Sequence, residues 1–415
     1  MSTDHDGSSL DLERILVRYL AENRLTRRQL LRRISIVGAT AAVAPIIAAC
    51  ATGGASAAPS ISTPMPAAPS STDAGAAAET ASPTATPEPT PQPTPEGELY
   101  VYNWTQYIGD TTVKDFQDKY GIKVTYDFFD TADTQLTKIR SDGKGGGYDV
   151  TYPASTDVPG LVRDGVVAAL DLSMIPNAKN LGTEWANPGY DPNNAHSMPY
   201  MWWTTGFVWD PDKIKEDLTD WTALWDERYK GHMSMLDDVR EVFAAAAFRL
   251  GLSPNTTSET DLDAMLQLLE QQKPLLRTYT ANDIADFTGG QVWLTHAWSG
   301  DWGQMLTDKP KTKYVIPASG AVRGSDTMVV LSGAQHPVAA NLWIDFNLDA
   351  KVSAANTNVT YYMGPNAAAL PLIDPTISGD PRINPASATL DKLVELLELG
   401  PDLDKYTQRW NALKA

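Results

Sequence analysis

Aromatic and acidic side chains stand close together at several points of this sequence, with spacings that suit binding of a positively charged molecule. Trp104 and Tyr107 follow the alternating stretch "LYVYN", which is typical of a β-strand, and their own surroundings are polar. Asp238 and Glu241 are three residues apart in "DDVREVF", so both can face the same way in the first turn of a helix. Rings offer π faces to cations, and carboxylates accept charge-assisted hydrogen bonds from ammonium groups.

Two later segments repeat this combination near the predicted ends of elements. "QVWLTHAWSGDW" is a predicted strand that runs into Trp298 and a glycine-containing turn, and Asp326 immediately precedes the apolar run Met328 to Leu331. Asp237 and Asp238 have a purely structural alternative, because they directly precede a predicted helix from about Val239 to Gly251 and either could cap its N-terminus. We assign the capping role to Asp237 and leave Asp238 with Glu241 for a ligand.

The same residues are a poor match to a catalytic site. Asp238 and Glu241 lie on one side of any bound substrate, whereas the acid and base of a glycosidase flank the bond they cleave. The five histidines have no metal-ligand spacing, and His296 is most simply a strand residue. Gly145-Gly146-Gly147 lacks the Lys-Ser/Thr of a phosphate loop. The sequence therefore predicts no enzyme, no metal site and no cofactor.

Strand and helix patterns alternate in the part of the chain that positions these residues. After the first strand, the chain has a predicted helix, a strand, a helix and a strand: Thr111–Lys119, Lys123–Phe128, Thr134–Ile139 and Tyr148–Tyr152. This βαβαβ rhythm predicts parallel strands, whose carboxyl ends form the ligand edge of the sheet. Trp104, Tyr107 and the loop Pro153–Asp157 should meet there, with Thr156 and Asp157 of the loop among the ligand-binding residues. Further on, "SMPYMWWTTGFVWD" reads as a pair of extended segments.

Composition and charge restrict the class of protein. The 415 residues are 42% hydrophobic and contain 12 Trp, which suits a globular body of two domains. The net charge is −18, and residues 50–415 carry −20 because the first 49 residues hold seven Arg and five acidic residues. A strongly acidic protein repels nucleic acid and favours cationic partners. The alternative interpretation is that the acidic residues serve only to keep the protein soluble. The single cysteine excludes an intramolecular disulfide.

The N-terminal residues 1–49 read as an export signal. Arg27-Arg28 form a twin-arginine pattern ahead of the apolar run Ile34–Ala49, which is short for a membrane span. The run ends Ile47-Ala48-Ala49-Cys50, which resembles a lipobox and predicts acylation of Cys50. Residues 50–97 are rich in Ala, Ser, Thr and Pro, and predict a disordered tether. We expect an exported protein anchored by lipid to the cell membrane, on its periplasmic or extracellular face.

Six segments from about residue 98 onward resemble the bacterial spermidine/putrescine-binding proteins of polyamine ABC importers, in the order and spacing of that family. The segments are "YNWTQY", "YDV" before a Pro-small-small loop, "WTALWDERYKG", "DDVREVF", "LGLSPNTT" and "MGPNAAA". The resemblance implies an α/β, two-lobed periplasmic-binding-protein fold of type II topology with a cleft between the lobes. It places the lobes at 98–204 plus 322–366 and at 205–321 plus 367–415, with crossovers near Thr204–Gly206 and Gly320–Ser325.

The resemblance also implies ligand-binding roles for particular residues. Trp104 and Tyr107 resemble the family's aromatic pair, and Trp298 resembles a tryptophan that lines the channel. Asp238 and Glu241 resemble the carboxylates that hold one end of the polyamine. Asp326 resembles a carboxylate that binds an ammonium group, and Tyr362 resembles the tyrosine of the "YPTPN" loop. The chain departs from the family pattern at three positions. Gln106 stands where the family often has an acidic residue, and Gly324 stands where it often has an aromatic residue. Thr156, followed by Asp157, also stands where an aromatic residue is often found. These departures leave open which amine is bound.

The partners implied are a polyamine ligand and the membrane permease of an ABC importer, with no nucleic acid, and we expect a monomer. The alternative is a binding protein of the same fold for another cationic solute, such as a quaternary amine or basic amino acid, or for a sugar. Aromatic clefts bind sugars too, but the carboxylates favour a cation.

Overall fold

The computed structural model describes residues 94–415. The twin-arginine segment, Cys50 and all but the last four residues of the predicted tether lie outside the described residues. Between residues 94 and 415, no helix combines the length and the apolar character needed to cross a bilayer.

Strands and helices alternate along the described chain. The strands are β1 (Glu98–Trp104), β2 (Lys123–Phe129), β3 (Val150–Thr151), β4 (Ser197–Trp209), β5 (Met233–Leu236), β6 (Leu276–Thr280), β7 (Leu294–Trp298), β8 (Lys313–Val315) and β9 (Arg323–Val330). The helices are α1 (Thr112–Tyr120), α2 (Ala132–Arg140), α3 (Val158–Arg163), α4 (Val239–Leu250), α5 (Glu259–Gln272), α6 (Asp283–Thr288), α7 (Ser299–Met305), α8 (Pro337–Asn347), α9 (Ala350–Thr360), α10 (Pro375–Ser378), α11 (Ser387–Leu390) and α12 (Leu403–Lys414).

The first three strands confirm the predicted parallel arrangement. β1 lies between β2 and β3 and is parallel to both, with α1 and α2 in the connections. β1 runs one residue further than predicted, because Trp104 pairs with Phe129 of β2. β3 is only two residues long, and Pro153, which has no N–H to give to a ladder, follows it closely.

β4 is one strand of 13 residues, so the prediction of two extended segments is wrong. A register shift between Pro199 and Met201 accommodates the proline within the strand. The strand order is β2-β1-β3-β9-β4-β7-β5-β6, with β8 also paired to β4. Ser197–Thr204 pair with β9 and Thr205–Trp209 pair with β7, so β4 belongs to both parts of the sheet.

Two apolar clusters lie mainly on different parts of the sheet, and a third, which includes Trp202 and Val208 of β4, extends over both. Val101 of β1 and Ile344 of α8 belong to one cluster, and Met235 of β5 and Phe243 of α4 belong to another. The second core includes the run Ala244–Ala247, whose small side chains allow α4 to be buried on nearly every side.

Two site segments lie in elements that differ from the prediction. Asp326 stands inside β9, opposite Met201 of β4, and not ahead of the strand. Gly300 is part of helix α7 and not of a turn. In both cases tertiary contacts override local preference, since an acidic residue in a strand and a glycine in a helix are unfavourable in isolation.

Candidate functional site

Trp104 and Tyr107 lie at the carboxyl end of β1, as predicted, but they differ in burial. The Trp104 indole is half-buried, donates from Nε1 to the carbonyl oxygen of Tyr152 at 3.0 Å, and packs on the Phe129 ring. Tyr107 is only 5% exposed, and its ring meets those of Tyr200 and Tyr362 edge-on at 5.4 and 4.8 Å. The Tyr107 ring is therefore buried among other rings at this end of β1, whereas Trp104 retains contact with solvent.

Asp326 is a buried carboxylate beside Tyr107. It is 5% exposed, and it faces the Tyr107 hydroxyl, although neither Asp326 Oδ1 nor Tyr107 Oη makes a hydrogen bond of good geometry. Burial raises the pKa of the Asp326 carboxyl well above its usual range, and the negative charges of Asp157 and Asp238 add to the shift. A buried carboxylate with an unsatisfied oxygen is costly unless a partner arrives.

Glu241 is a second buried carboxylate, held in place on one side only. Its Oε1 accepts hydrogen bonds from Thr205 Oγ1 and Trp298 Nε1, both at 3.1 Å. Its Oε2 is buried and has no partner. Burial, followed by the nearby charge of Asp238, raises the pKa of Glu241 to about 7.

The capping assignment at the start of α4 is wrong, because Asp238 and not Asp237 is the cap. Asp238 Oδ1 accepts from the backbone N–H groups of Arg240 at 2.9 Å and Glu241 at 3.0 Å. Asp237 is instead paired with Lys414 of α12 at 2.6 Å. Because Asp238 has the extended backbone conformation of an N-cap, its carboxylate can reach the free N–H groups of the first turn. Its cap fixes the position of Glu241.

Asp301 is a third buried carboxylate, which the sequence analysis did not select. It lies in the first turn of α7, directly after β7, and accepts a hydrogen bond from the Tyr362 hydroxyl at 2.8 Å. Burial raises the pKa of Asp301 to about 6. The signal for it was its position three residues beyond Trp298 at the end of a predicted strand.

The Asp301 carboxylate has another acid behind it. Asp283 of α6 is buried, and burial together with the charge of Asp301 raises its pKa well above the usual range. Two adjacent buried carboxyls cannot both be ionised cheaply, so the pair formed by Asp283 and Asp301 carries a single negative charge.

In the described residues, none of the three buried carboxylates forms an ion pair with a basic side chain. In residues 94–415, no Lys, Arg or His nitrogen lies within 4 Å of a carboxylate oxygen of Glu241, Asp301 or Asp326. The described chain also has no group of three or more His, Cys, Asp or Glu arranged to hold a metal ion. His296 is fully buried, neither ring nitrogen has a partner, and burial lowers its pKa to about 3.

The sequence profile of the family described as "Bacterial extracellular solute-binding protein" matches residues 111–385. The chain belongs to this family. Members of it capture solutes and are not enzymes, which agrees with the prediction that this solute-binding protein has no catalytic site.

Relatives with known roles extend the similarity over most of the chain. The putrescine/cadaverine-binding protein of Pseudomonas aeruginosa is 31% identical in an alignment that covers 73% of this chain and 89% of that protein. The spermidine/putrescine-binding periplasmic protein of Salmonella typhimurium is 30% identical, over 76% and 91% respectively. The crystal structure of the spermidine/putrescine ABC transporter substrate-binding protein of Streptococcus pneumoniae covers 77% of this chain and 99% of that one, with a TM-score of 0.66 and 27% identity. The predicted periplasmic-binding-protein fold is confirmed.

In this solute-binding protein the structure brings most of the predicted residues together. Tyr107 and Tyr362 belong to one apolar cluster, and Trp104 and Trp298 pack against it. Asp326 faces Tyr107 in that cluster, and Glu241 holds the Trp298 indole.

Thr156 and Asp157 lie at the edge of this group of rings. Both are half-buried and come just before α3. Burial raises the pKa of Asp157 to about 6, and the charge of Arg140 opposes that shift. Asp157 is close enough to Asp326 for the two charges to interact, and the positive charges of Arg140 and Arg240 favour its ionised form.

Proposed function

We propose that this protein captures a polyamine, a linear chain with two or more ammonium groups, and delivers it to the membrane permease of an ABC importer. The observation that carries the proposal is the set of three buried carboxylates, Glu241, Asp301 and Asp326, without basic partners and among aromatic rings. Only a cation can compensate such charges once water is excluded.

The site offers what each part of a polyamine requires. Unpartnered oxygens of Glu241 and Asp326 can accept charge-assisted hydrogen bonds from ammonium groups. The rings of Trp104, Trp298 and Tyr107 can pack on methylenes and attract cations, at ~0.5–2 kcal/mol for each contact. The names of the relatives, which bind putrescine with cadaverine or with spermidine, support the same ligand class.

We further propose two lobes, 98–204 plus 322–366 and 205–321 plus 367–415, that close on the ligand. The change of partner along β4, from β9 to β7 after Thr204, supports the first crossover. The apolar clusters around β1 with α8 and around β5 with α4 support a rigid body in each lobe, and a third cluster, which includes Trp202 and Val208, joins the two. Hinge closure of this kind removes water from the site and strengthens each charged contact.

Calorimetric titration of the purified protein with putrescine, spermidine, spermine, agmatine and maltose tests the ligand class. We expect one-to-one binding of at least one amine, no conversion of the amine, and weaker binding as ionic strength rises, because exposed charges are screened during encounter. If maltose were the one compound that gave a heat of binding, and if its affinity did not change with salt, a sugar-binding protein of the same fold would be favoured instead. Binding of a single-charge quaternary amine in preference to every polyamine would favour another cationic solute.

The proposal includes a lipid anchor at Cys50, carried by the twin-arginine signal and followed by the tether of residues 50–97. Cys50→Ala removes the sulfur that would be acylated, so we expect the variant to leave the membrane fraction and to lose lipid labelling. Cell fractionation with a labelled fatty acid measures both. A Cys50→Ala protein that stays membrane-bound and is processed like the parent would contradict the anchor.

A further inference from the structure

Trp203 and Gly324 form a complementary pair across two neighbouring strands. Trp203 of β4 stands directly opposite Gly324 of β9 in the antiparallel register. A Cβ atom at Gly324 would lie 2.5 Å from Cζ2 of the Trp203 indole, closer than real carbon atoms approach. The absence of a side chain at position 324 is therefore what admits the indole to this space.

The Trp203 ring lies among the rings of the proposed amine site. It meets Trp298 edge-on at 6.2 Å and Tyr362 edge-on at 6.2 Å, and it belongs to the same apolar cluster as Tyr107. Its neighbour Trp202 is in a different cluster, with the Arg323 guanidinium 5.6 Å from its ring. The alternation of side chains along β4 thus gives one indole to the site and the other to the opposite side.

The polar edge of the Trp203 indole has no partner. Its Nε1 is buried without a hydrogen bond of good geometry, although it lies near enough to Glu241 to favour the charged form of that carboxyl. Buried indole N–H groups normally have an acceptor, so this one calls for an explanation. An indole N–H and an ammonium group are both donors, so the N–H favours the charged form of the Glu241 carboxylate, and the unpartnered Oε2 of Glu241 is the atom left for an ammonium group.

We propose that Trp203 is a ligand-contacting wall of the amine site that helps to set the length of the amine accepted. The inference rests on the proposed function and deepens it. The indole packs on the methylenes next to the ammonium group held by Glu241, and fills space that a longer amine would otherwise occupy. The Trp203 ring requires a glycine at position 324, since a ring can enter this space from only one of the two strands.

The test exchanges the ring between strands and measures affinity for putrescine and spermidine by calorimetry. Trp203→Ala should weaken putrescine binding at least tenfold and spermidine binding by less, because the longer amine can use the vacated space. Gly324→Trp in the parent should lose binding through the clash. The double variant, Trp203→Ala with Gly324→Trp, should bind putrescine at least fivefold more tightly than Trp203→Ala, because the ring returns to the same space from β9.

Two further variants separate a wall from a structural residue. Trp203→Leu keeps most of the buried volume without a π face, and should fold like the parent while binding putrescine at least fivefold less tightly. Trp202→Ala is the matched control and should lower the melting temperature while leaving both affinities within threefold. Unchanged affinity and unchanged amine preference in folded Trp203→Leu would overturn the inference while leaving the proposed function intact. A parent protein that binds no amine would instead remove the proposed function, and with it this inference.

Discussion

Asp326→Asn is expected to weaken amine binding at least tenfold without lowering the melting temperature of the unliganded protein. The substitution keeps the shape of the side chain and deletes the charge that we propose to pair with an ammonium group. Loss of one partner from a desolvated charge pair costs about 2–5 kcal/mol. Isothermal titration gives the change in affinity, and thermal unfolding gives the change in stability.

The melting temperature of the unliganded Asp326→Asn protein is expected not to fall, because of the environment of Asp326 before the ligand binds. Its carboxylate is buried, its Oδ1 is unpartnered, and burial raises its pKa well above the usual range. An amide in the same place carries no charge to desolvate, so the unliganded variant should be as stable as the parent or more so.

Asp149→Asn is the matched control for this variant. Asp149 is 2% exposed, but its oxygens accept from the backbone N–H groups of Tyr100, Gln335 and His336. Its replacement should lower the melting temperature and leave amine affinity within twofold. If Asp326→Asn bound the amine as tightly as the parent, the charge interpretation of the site would fail and the sugar alternative would move ahead.

Glu241 is expected to make both stability and binding depend on pH, with opposite signs. Its pKa is about 7 in the folded protein and near 4.5 when exposed, so the folded state retains its proton between these values. The stability that this group contributes is present below about pH 4.5 and is lost as the pH rises through about 7, a change on the order of 3 kcal/mol. Binding of an ammonium group requires the ionised form, so affinity should rise over the same range.

The comparison of the parent with Glu241→Gln isolates this titration from that of the other carboxyls. The glutamine can still accept from Thr205 and Trp298, but it does not titrate. We expect the unliganded variant to gain stability over the parent as the pH rises from 5 to 8, measured by thermal unfolding. Its amine affinity should be lower than that of the parent at pH 8 and should rise less steeply from pH 5 to 8, because only Asp301 and Asp326 of the three carboxyls then still titrate. Parallel stability curves for the two proteins would contradict the assigned pKa.

The local patterns of the sequence predicted the elements that depend on local physics. The βαβαβ order around β1, β2 and β3 was predicted from alternation, helix periodicity and glycine breaks. The helix from Val239 to Gly251 was predicted because an acidic start and a left-handed glycine end are local signals, and Gly251 does have φ +70°. The cap itself was assigned one residue too early, since either aspartate satisfies the pattern and only the hydrogen bonds of the folded chain show that Asp238 is the cap.

By itself, the sequence determined the family and placed Trp104 and the loop Pro153–Asp157 at the carboxyl ends of β1 and β3, where we propose that the ligand binds. Only the tertiary structure decided that β4 is one strand shared by two parts of the sheet, that Asp326 lies inside β9, and that Asp301 joins the site through Tyr362. The pairing of Trp203 with Gly324 was equally invisible, since the two residues are far apart in the chain. The physical reason is the range of the interactions. Propensity and capping act within a few residues, whereas burial, strand register and unpaired charge are set by segments that meet only after folding.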